Sequence, residues 1–217
     1  MTEETIIPRA RAATADDPLP RRGSRRRADE VLEAAAAVFA ERGFHGASTQ
    51  DIADRLGLRQ ASLYYYFSSK EAALEEVCVR GIEEIIADTG AIAAGSGNAS
   101  QRLEAIMRRH VEPMSRNCAA LRAYLHERRF LPKDARRRVG RLARRYERIV
   151  ETVLEEGIAT GELRPDLDVH ITANAILGVC NAAAHWPGRE PNGAMREIAD
   201  ELVRLIRFGV AEPVLSG

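Results

Sequence analysis

Long apolar runs are absent from this chain of 217 residues, and so is any excess of charge of one sign. No stretch approaches the roughly 20 consecutive apolar residues of a membrane-spanning helix, and the first residues lack the apolar core of a signal peptide. The 32 basic and 32 acidic residues cancel, which argues against a generic binder of polyanions. We therefore expect a globular protein with no membrane partner.

Cysteine is scarce, and histidine shows no metal-ligand pattern. Cys78, Cys118 and Cys180 are odd in number, widely spaced and embedded in helical patterns. Buried thiols are therefore expected instead of disulfides, which indicates the reducing cytoplasm. The five histidines lack spacings such as HExxH, so no metal site and no cofactor are expected, although a pocket assembled from distant helices stays open.

Recognisable catalytic motifs are also missing. The chain has no glycine-rich phosphate loop after a strand, no GxSxG motif and no obvious acid–base pair. An enzyme would need a catalytic pocket hidden among the arginine- and glutamate-rich helices. We expect no catalytic residues, and an enzyme is the weaker alternative.

The clearest positive signal is a set of short helical patterns near the N-terminus. Apolar residues recur on one stripe over 25–42, and Gly43 is placed to end that helix. Ser48 or Thr49 then opens a second helix as its N-cap, and Gly57 stops it. Two short helices joined by such a turn predict a helix-turn-helix over about 48–67.

The second helix of this motif, predicted over 60–67, carries an outward surface that is polar and aromatic. Leu63 and Phe67 are four residues apart and point into the small core. A helix of this kind fits the major groove of B-DNA, about 12 Å wide, where its side chains reach base edges. The outward surface consists of Ala61 and Tyr65, flanked by Ser62 and Tyr64.

Residues 27–74 closely resemble the N-terminal domain of the TetR (tetracycline-repressor) family of transcriptional regulators. The matching segments are VLEAAAAVFAERGFHGAST, DIADRLGL and LYYYFSSKEAAL. The resemblance implies a ligand-responsive DNA-binding regulator, a homodimeric repressor released from a palindromic double-stranded operator by a small-molecule effector. The landmarks that match are Phe39, Gly43, Thr49, Ile52, Ala53, Gly57, Leu63, Tyr64, Phe67 and Lys70.

The resemblance also implies which residues touch DNA. Arg59 departs from the Ser or Thr common at its position and adds a cation for a phosphate or a guanine. Packing of the tyrosines and plain solvation of Lys70 and Gln60 are the competing interpretations. The implied contacts are Thr49 as a helix cap beside a phosphate, Tyr64, Tyr66 and Lys70 on the backbone, Gln60, Ala61, Ser62 and Tyr65 near the bases, and Gln50 as a further candidate.

An arginine-rich segment, RRGSRRR, precedes the first helix. Residues 1–24 are expected to form a disordered basic arm, and Arg25, Arg26 and Arg27 continue its charge. Such an arm can enter the adjacent minor groove and add salt-dependent affinity. A solubilising tail is the equally weighted alternative.

The rest of the chain has helical patterns throughout, so the predicted fold is all-α with about nine helices. We expect a DNA-binding domain over 25–70 and a helical effector-binding and dimerisation domain over 71–217. The helices are expected at about 25–42, 49–56, 60–67, 69–89, 100–117, 118–130, 134–157, 168–186 and 193–209, with Ser100 capping the fifth and a loop over 90–100.

For the second domain, the resemblance implies a pocket among helices 5 to 8 and a dimer interface through helices 8 and 9. The eighth helix is apolar and rich in small residues, as close packing against a second copy requires, although an interior helix of a monomer would look similar. The candidates for effector binding are Met107, His110, Met114, Tyr124, Asn174, Cys180, Asn181 and Trp186.

The charge between residues 101 and 148 bears on the effector. Basic residues outnumber acidic ones there by 15 to 5, and arginine clusters suit phosphate and carboxylate groups. The segment from RRFLPKDARRRV onward weakly resembles TetR-type sensors of acyl-CoA, while a solvated charged helix face is the plainer interpretation. An acyl-CoA or another anionic amphiphile is the expected effector. A nucleoid or adaptor protein without an effector is the remaining alternative.

Overall fold

The computed structural model describes residues 22–115, 118–183 and 193–210, and these ranges are helical with short connections. The predicted all-α fold is confirmed. A short 3-10 turn, Arg128–Phe130, follows the sixth helix. Within the described ranges the helices are α1 (Arg22–Gly46), α2 (Thr49–Arg55), α3 (Gln60–Leu63), α4 (Lys70–Ala93), α5 (Ala99–Ser115), α6 (Ala119–Glu127), α7 (Lys133–Ala159), α8 (Val169–Ala182) and α9 (Gly193–Val210).

Helices α1 to α3 enclose a small apolar core. Val31 and Phe39 of α1 are almost fully buried on one stripe, and Ile52 of α2 and Leu63 of α3 belong to the same cluster. Gly43 has a φ of 67°, so α1 kinks there in the left-handed conformation that glycine tolerates best. The predicted break at Gly43 is thus present, although one more turn follows it.

The third helix is shorter than predicted. It ends at Leu63, and the chain continues as a turn in which the Phe67 N–H still donates to the Leu63 carbonyl at 3.0 Å. Ser69 must then take an extended conformation to cap α4, its side chain accepting from the Ala72 N–H at 3.1 Å. The first helix is longer than predicted, since it starts at Arg22, inside the segment expected to be an arm.

Helix α4 runs beyond the predicted end at Thr89. The expected loop over 90–100 is wrong in its first part, because one glycine does not stop a helix when Ala and Ile follow it. The chain leaves the helix after Ala94, before Gly97 with its φ of 111°. Asn98, and not Ser100, caps α5, with its side-chain oxygen accepting from the Gln101 N–H at 2.9 Å.

Helix α4 packs against α1, α5, α6 and α7 and so connects the two parts of the molecule. Its Gly81 is needed for the close approach of α6. A Cβ atom at this position would stand 2.8 Å from the Ala120 carbonyl oxygen, which real Cβ contacts do not allow. The contact holds α6 tightly against the middle of α4.

The last two helices cover the outer side of the larger domain. Helix α8 packs mainly on α7, and α9 packs mainly on α5, where Leu202 and Val203 are buried. No helix in the described ranges combines the length and apolarity that crossing a bilayer requires. Cys78 and Cys180 are buried as expected, and burial raises the pKa of each thiol to about 12, while Cys118 is half-buried.

Candidate DNA-binding surface and effector cavity

The outward surface of the helix-turn-helix lies where the periodicity predicts it. Tyr65 exposes 82% of its surface and Tyr64 exposes 52%. Leu63, which points from α3 into the core, exposes only 1%. Ala61 and Ser62 are also exposed. Exposed tyrosine hydroxyls beside small side chains are groups that can contact bases and phosphates.

Tyr66 differs from its two neighbours because it is half-buried and packs against the core. Its ring meets the Tyr65 ring edge to face, with the centroids 5.1 Å apart. Tyr66 therefore supports the orientation of the exposed Tyr65. The contact of Tyr66 with the DNA backbone stays a prediction.

Of the two predicted N-cap candidates of the second helix, Ser48 is confirmed, and the cap role that the resemblance implies for Thr49 is wrong. Ser48 is the N-cap: its hydroxyl accepts from the Asp51 N–H at 3.1 Å, and the Asp51 carboxylate accepts from the Ser48 N–H at 2.8 Å. The Thr49 hydroxyl instead accepts a bond from the Gln60 side-chain amide at 2.7 Å. This bond joins α2 to α3, and within the described part of the chain the carbonyl oxygen of the Gln60 side chain accepts no hydrogen bond.

Lys70, at the start of α4, is bound to the end of α1. Its Nζ donates to the backbone carbonyls of Phe44 and Ala47, both at 2.9 Å, and lies 4.3 Å from the centroid of the Phe44 ring. Two of its three N–H groups are therefore used inside the protein. The contact of Lys70 with a DNA phosphate stays a prediction, and the structure adds a role in tying α4 to the DNA-binding part.

The remaining DNA-contact candidates lie on the same side or at its border. Arg59 is exposed at the N-terminus of α3 and has no ion pair with a described residue, so its guanidinium is available to a ligand. Gln50 is exposed, and its amide donates to Asp54 at 2.6 Å. Two candidates further out, Arg26 and Arg27, pair with Glu30, and the side chain of Arg25 lies outside the described residues.

A second connection joins the DNA-binding part to α6. The Glu127 carboxylate accepts a hydrogen bond from the Phe44 N–H at 2.8 Å, just after the kink in α1. In the turn that follows, the Phe130 ring stacks on the Phe44 ring, with their centroids 5.7 Å apart, and contacts His45 edge to face at 4.4 Å. The end of α6 is therefore held against the end of α1 by one charged hydrogen bond and a ring stack.

A cavity of about 220 Å³ lies among α4, α5, α6, α7 and α8. Its apolar walls include Ile82, Ile85, Leu121 and Leu177. Its polar lining groups are His110, Tyr124, Arg128, Tyr146, Glu147, Asn174 and Asn181. The cavity thus combines an apolar interior with several hydrogen-bonding groups and one guanidinium, as small-molecule sites commonly do.

Four of the eight predicted effector residues line this cavity, namely His110, Tyr124, Asn174 and Asn181. Met107 and Cys180 do not: both are buried, and Met107 borders a separate, much smaller cavity between α5 and α9. The side chain of Met114, and Trp186 entirely, lie outside the described residues. The sequence-based list missed Arg128, Tyr146 and Glu147. Tyr146 had a usable signal, because a buried tyrosine on the apolar stripe of α7 needs a polar partner.

The partner of Tyr146 is His110, and together they form a buried network with Asn181. The Tyr146 hydroxyl and His110 Nδ1 are 2.7 Å apart, and His110 Nε2 lies 3.0 Å from Asn181 Oδ1. Burial lowers the pKa of His110 to about 4, so the ring is neutral near pH 7 and carries one N–H. That hydrogen belongs on Nε2, where it meets the Asn181 oxygen, and Nδ1 accepts from the tyrosine.

A helix-turn-helix with an exposed aromatic surface, connected through α4 and α6 to a cavity in the larger domain, defines a DNA-binding regulator with a ligand-binding domain. The chain belongs to the tetR family of bacterial regulatory proteins. The family model described as "Bacterial regulatory proteins, tetR family" matches residues 31–77, and "Tetracyclin repressor-like, C-terminal domain" matches residues 96–210. The family resemblance of the N-terminal segments is therefore confirmed.

Individual relatives are regulators as well. The chain is 28% identical over 202 residues to the HTH-type transcriptional repressor KstR2 of Rhodococcus jostii, covering 92% of this chain and 97% of that protein. The solved structure of the ketosteroid transcriptional regulator KstR2 of Mycobacterium tuberculosis is 27% identical, with a TM-score of 0.76 over 86% of this chain and 96% of that one.

A further similar structure is AibR in complex with isovaleryl coenzyme A and operator DNA. It is 25% identical, with a TM-score of 0.76 over 82% of this chain and 97% of that one. These relatives agree with the sequence-based assignment as a transcriptional regulator and not an enzyme.

Proposed function

We propose that this protein is a homodimeric repressor that leaves a palindromic operator when a small amphiphilic effector enters the cavity. One observation carries the proposal: α6 takes part in both sites. Tyr124 lines the cavity, and Glu127, three residues later, holds the Phe44 N–H of the DNA-binding part. Helix α4 is similarly shared, since Ile82 faces the cavity and Lys70 binds the end of α1.

The DNA-binding unit is proposed to extend over 25–70, with the exposed surface around Tyr65 in the major groove. Two copies would enter successive grooves about 34–36 Å apart. Arg59 is the strongest candidate for a guanine or phosphate contact, because it is exposed and without an ion pair to any described side chain. Arg26 and Arg27 would contact the minor groove as part of a basic arm. Their ion pairs with Glu30 are exposed and weak, so both side chains can leave Glu30 for DNA.

The dimer interface is proposed to lie on α8 and α9. Phe208 exposes 82% of its surface, Ile171 65% and Leu205 61%, which is unusual for large apolar side chains. Gly209 lies beside Phe208 on α9 with open space where a Cβ would stand. Large apolar groups beside bare backbone suit a self-complementary surface, and burial against a second copy would remove them from water.

The effector is proposed to be an acyl-CoA or a related anionic amphiphile. AibR, which has a similar structure, was solved with isovaleryl coenzyme A. A cavity of about 220 Å³ is smaller than the roughly 300–1,000 Å³ of sites that enclose whole drug-sized ligands. The acyl part fits inside, and the nucleotide would lie outside. A repressor of this kind would act in the bacterial cytoplasm.

The proposal is tested with the DNA upstream of the chain's own gene. The purified full chain should shift a fragment of this region in a gel-shift experiment even when unrelated DNA competes. Each operator, which consists of two half-sites, should bind one dimer. A ligand that raises the melting temperature of the free protein while weakening DNA binding separates a sensor from an adaptor protein. A folded chain that shifts no upstream fragment in a sequence-specific way would contradict the repressor assignment.

A further inference from the structure

The cavity contains a tyrosine hydroxyl whose own hydrogen has no acceptor among the described residues. Tyr124 exposes 8% of its surface and lines the cavity. Its oxygen accepts a bond from Arg128 at 2.6 Å, and the guanidinium also lies over the ring, 4.8 Å from its centroid. No described residue accepts from the hydroxyl. A hydroxyl that accepts from a cation is a stronger donor, because successive hydrogen bonds polarise one another.

A second donor is presented by Asn181. Its side-chain oxygen is occupied by His110 Nε2 at 3.0 Å. Because the neutral His110 ring accepts from Tyr146 on its other nitrogen, the orientation of the Asn181 amide is fixed. Its NH₂ group meets no acceptor among the described residues, and Asn181 lines the cavity, so this donor is open to a ligand there.

The two donors come from different helices, α6 and α8, and the walls between them are apolar. Ile82, Leu121 and Leu177 lie among the lining residues. An apolar cavity of about 150 Å³ is enough for benzene, so a cavity of about 220 Å³ suits an acyl group of moderate length. Glu147 also lines the cavity, and its negative charge disfavours a free carboxylate relative to an uncharged carbonyl.

We propose that Tyr124 and Asn181 bind the carbonyl oxygen of the effector's acyl group, with the acyl chain among the apolar walls and Arg128 at the exposed side of the cavity facing the anionic remainder. This inference rests on the proposed function. It narrows the effector class to acyl compounds recognised by their carbonyl group, and the favoured source of that carbonyl is a thioester.

The test compares hexanoyl-CoA with S-hexyl-CoA, a thioether that lacks only the carbonyl oxygen. Hexanoate and free CoA are the other probes, and binding to the full-length dimer is measured by titration calorimetry. The wild-type protein should bind hexanoyl-CoA about 10-fold more tightly than S-hexyl-CoA, as expected when a buried donor loses its acceptor. Tyr124→Phe should reduce this preference to less than about 3-fold.

Ile82→Val is the matched comparison, because it trims an apolar wall of the cavity on α4 and leaves Tyr124, Asn181 and the Tyr146–His110 bond in place. It should weaken both CoA ligands alike and keep their ratio. Equal wild-type affinity for hexanoyl-CoA and S-hexyl-CoA would overturn the inference without any variant. Tighter binding of hexanoate than of hexanoyl-CoA would overturn the thioester as the source.

The proposed function fails separately. A wild-type protein that prefers hexanoyl-CoA to S-hexyl-CoA but keeps its operator affinity unchanged when saturated supports the carbonyl site and contradicts ligand-controlled repression. A protein that binds none of the four probes contradicts both.

Discussion

The Glu127 carboxylate accepts a hydrogen bond from the Phe44 backbone N–H at 2.8 Å, across 83 residues of sequence. The bond lies directly after the kink at Gly43, where the backbone leaves the helical conformation. On the same helix, one turn earlier, Tyr124 faces the cavity. A ligand that displaces Tyr124 or Arg128 is therefore expected to shift Glu127, which lies between them in the chain. Glu127 is the residue that is hydrogen-bonded to the DNA-binding part.

Glu127→Gln is expected to uncouple the two sites. The amide oxygen can still accept from Phe44, but the charged bond becomes a neutral one, so stability should fall by about 1 kcal/mol. Operator affinity without effector should change little, while the release caused by acyl-CoA should be weakened several-fold. Fluorescence anisotropy of labelled operator, with and without ligand, measures both quantities.

Glu155→Gln is a suitable control for this variant, because Glu155 is an exposed carboxylate on α7 without an ion pair to a described residue. It should behave as the wild type in both measurements. A Glu127→Gln protein with an unchanged response to ligand would show that α6 does not transmit the signal.

Lys70→Met should lower stability as well as any DNA affinity. The substitution keeps the aliphatic chain near Phe44 but removes the donor from two backbone carbonyls. The free energy of unfolding is expected to fall by about 1–3 kcal/mol, measured by urea denaturation. A variant as stable as the wild type, with operator binding alone impaired, would mean that Lys70 acts only on DNA.

Tyr65→Ala is expected to show the opposite pattern. Because the side chain is 82% exposed, its loss should leave the melting temperature nearly unchanged. Operator affinity should fall about 5- to 100-fold if the ring contacts DNA, and anisotropy titration checks this. Tyr65→Phe separates a contact of the ring from one of the hydroxyl. Unchanged affinity in both variants would remove Tyr65 from the DNA-binding surface.

The buried His110 makes stability depend on pH. Burial lowers its pKa to about 4, whereas the unfolded chain has the ordinary value of about 6.5. Between these values the unfolded state binds more protons, so stability falls as pH drops from 6.5 towards 4, by about 3 kcal/mol in full.

His110→Gln removes this titration and should flatten the pH dependence of urea unfolding in that window. His170, whose pKa is raised by its hydrogen bond to Glu151, contributes with the opposite sign and is the same in both proteins. Parallel pH profiles for the variant and the wild type would contradict the assignment of a neutral, buried His110.

Phe208→Glu should break the proposed dimer. A charge at this exposed apolar position of α9 costs little in a monomer but opposes burial against a second copy. Light scattering should show a monomer, with operator affinity lost at protein concentrations where the wild type binds. Thr152→Glu, on the exposed side of α7, is the control and should remain dimeric. A dimeric Phe208→Glu protein would locate the interface elsewhere.

The helix-turn-helix was predictable because its signals are local. Gly43 and Leu63 play their expected parts, since a positive φ and an apolar period depend only on neighbouring residues. The second N-cap was harder, because Ser48 and Thr49 have similar side chains and only the reciprocal bond with Asp51 decides between them. The predicted end of α4 at Thr89 was wrong, because the low helix propensity of Gly90 does not outweigh the high propensity of the alanines after it.

The cavity, and the hydrogen bonds that join α4 and α6 to the end of α1, were harder to predict from the sequence. They depend on contacts between distant segments of the chain. Nothing near Lys70 in the sequence indicates that the Phe44 carbonyl accepts from it, and Glu127 gives no local sign of its bond to α1. Met107 and Cys180 are residue types that often line ligand sites, but here both are buried away from the effector cavity. Helical periodicity separates inside from outside and does not separate a cavity wall from packed interior.

The most direct test of the account is the reciprocity of operator and effector binding. Operator affinity would be measured by anisotropy with saturated acyl-CoAs of increasing chain length, and acyl-CoA affinity by calorimetry with and without operator. We expect at least one acyl-CoA to weaken operator binding about 5-fold or more, with operator weakening that ligand by the same factor. An operator affinity that no acyl-CoA changes, in a protein that binds them, would contradict the coupling of the cavity to the DNA-binding surface.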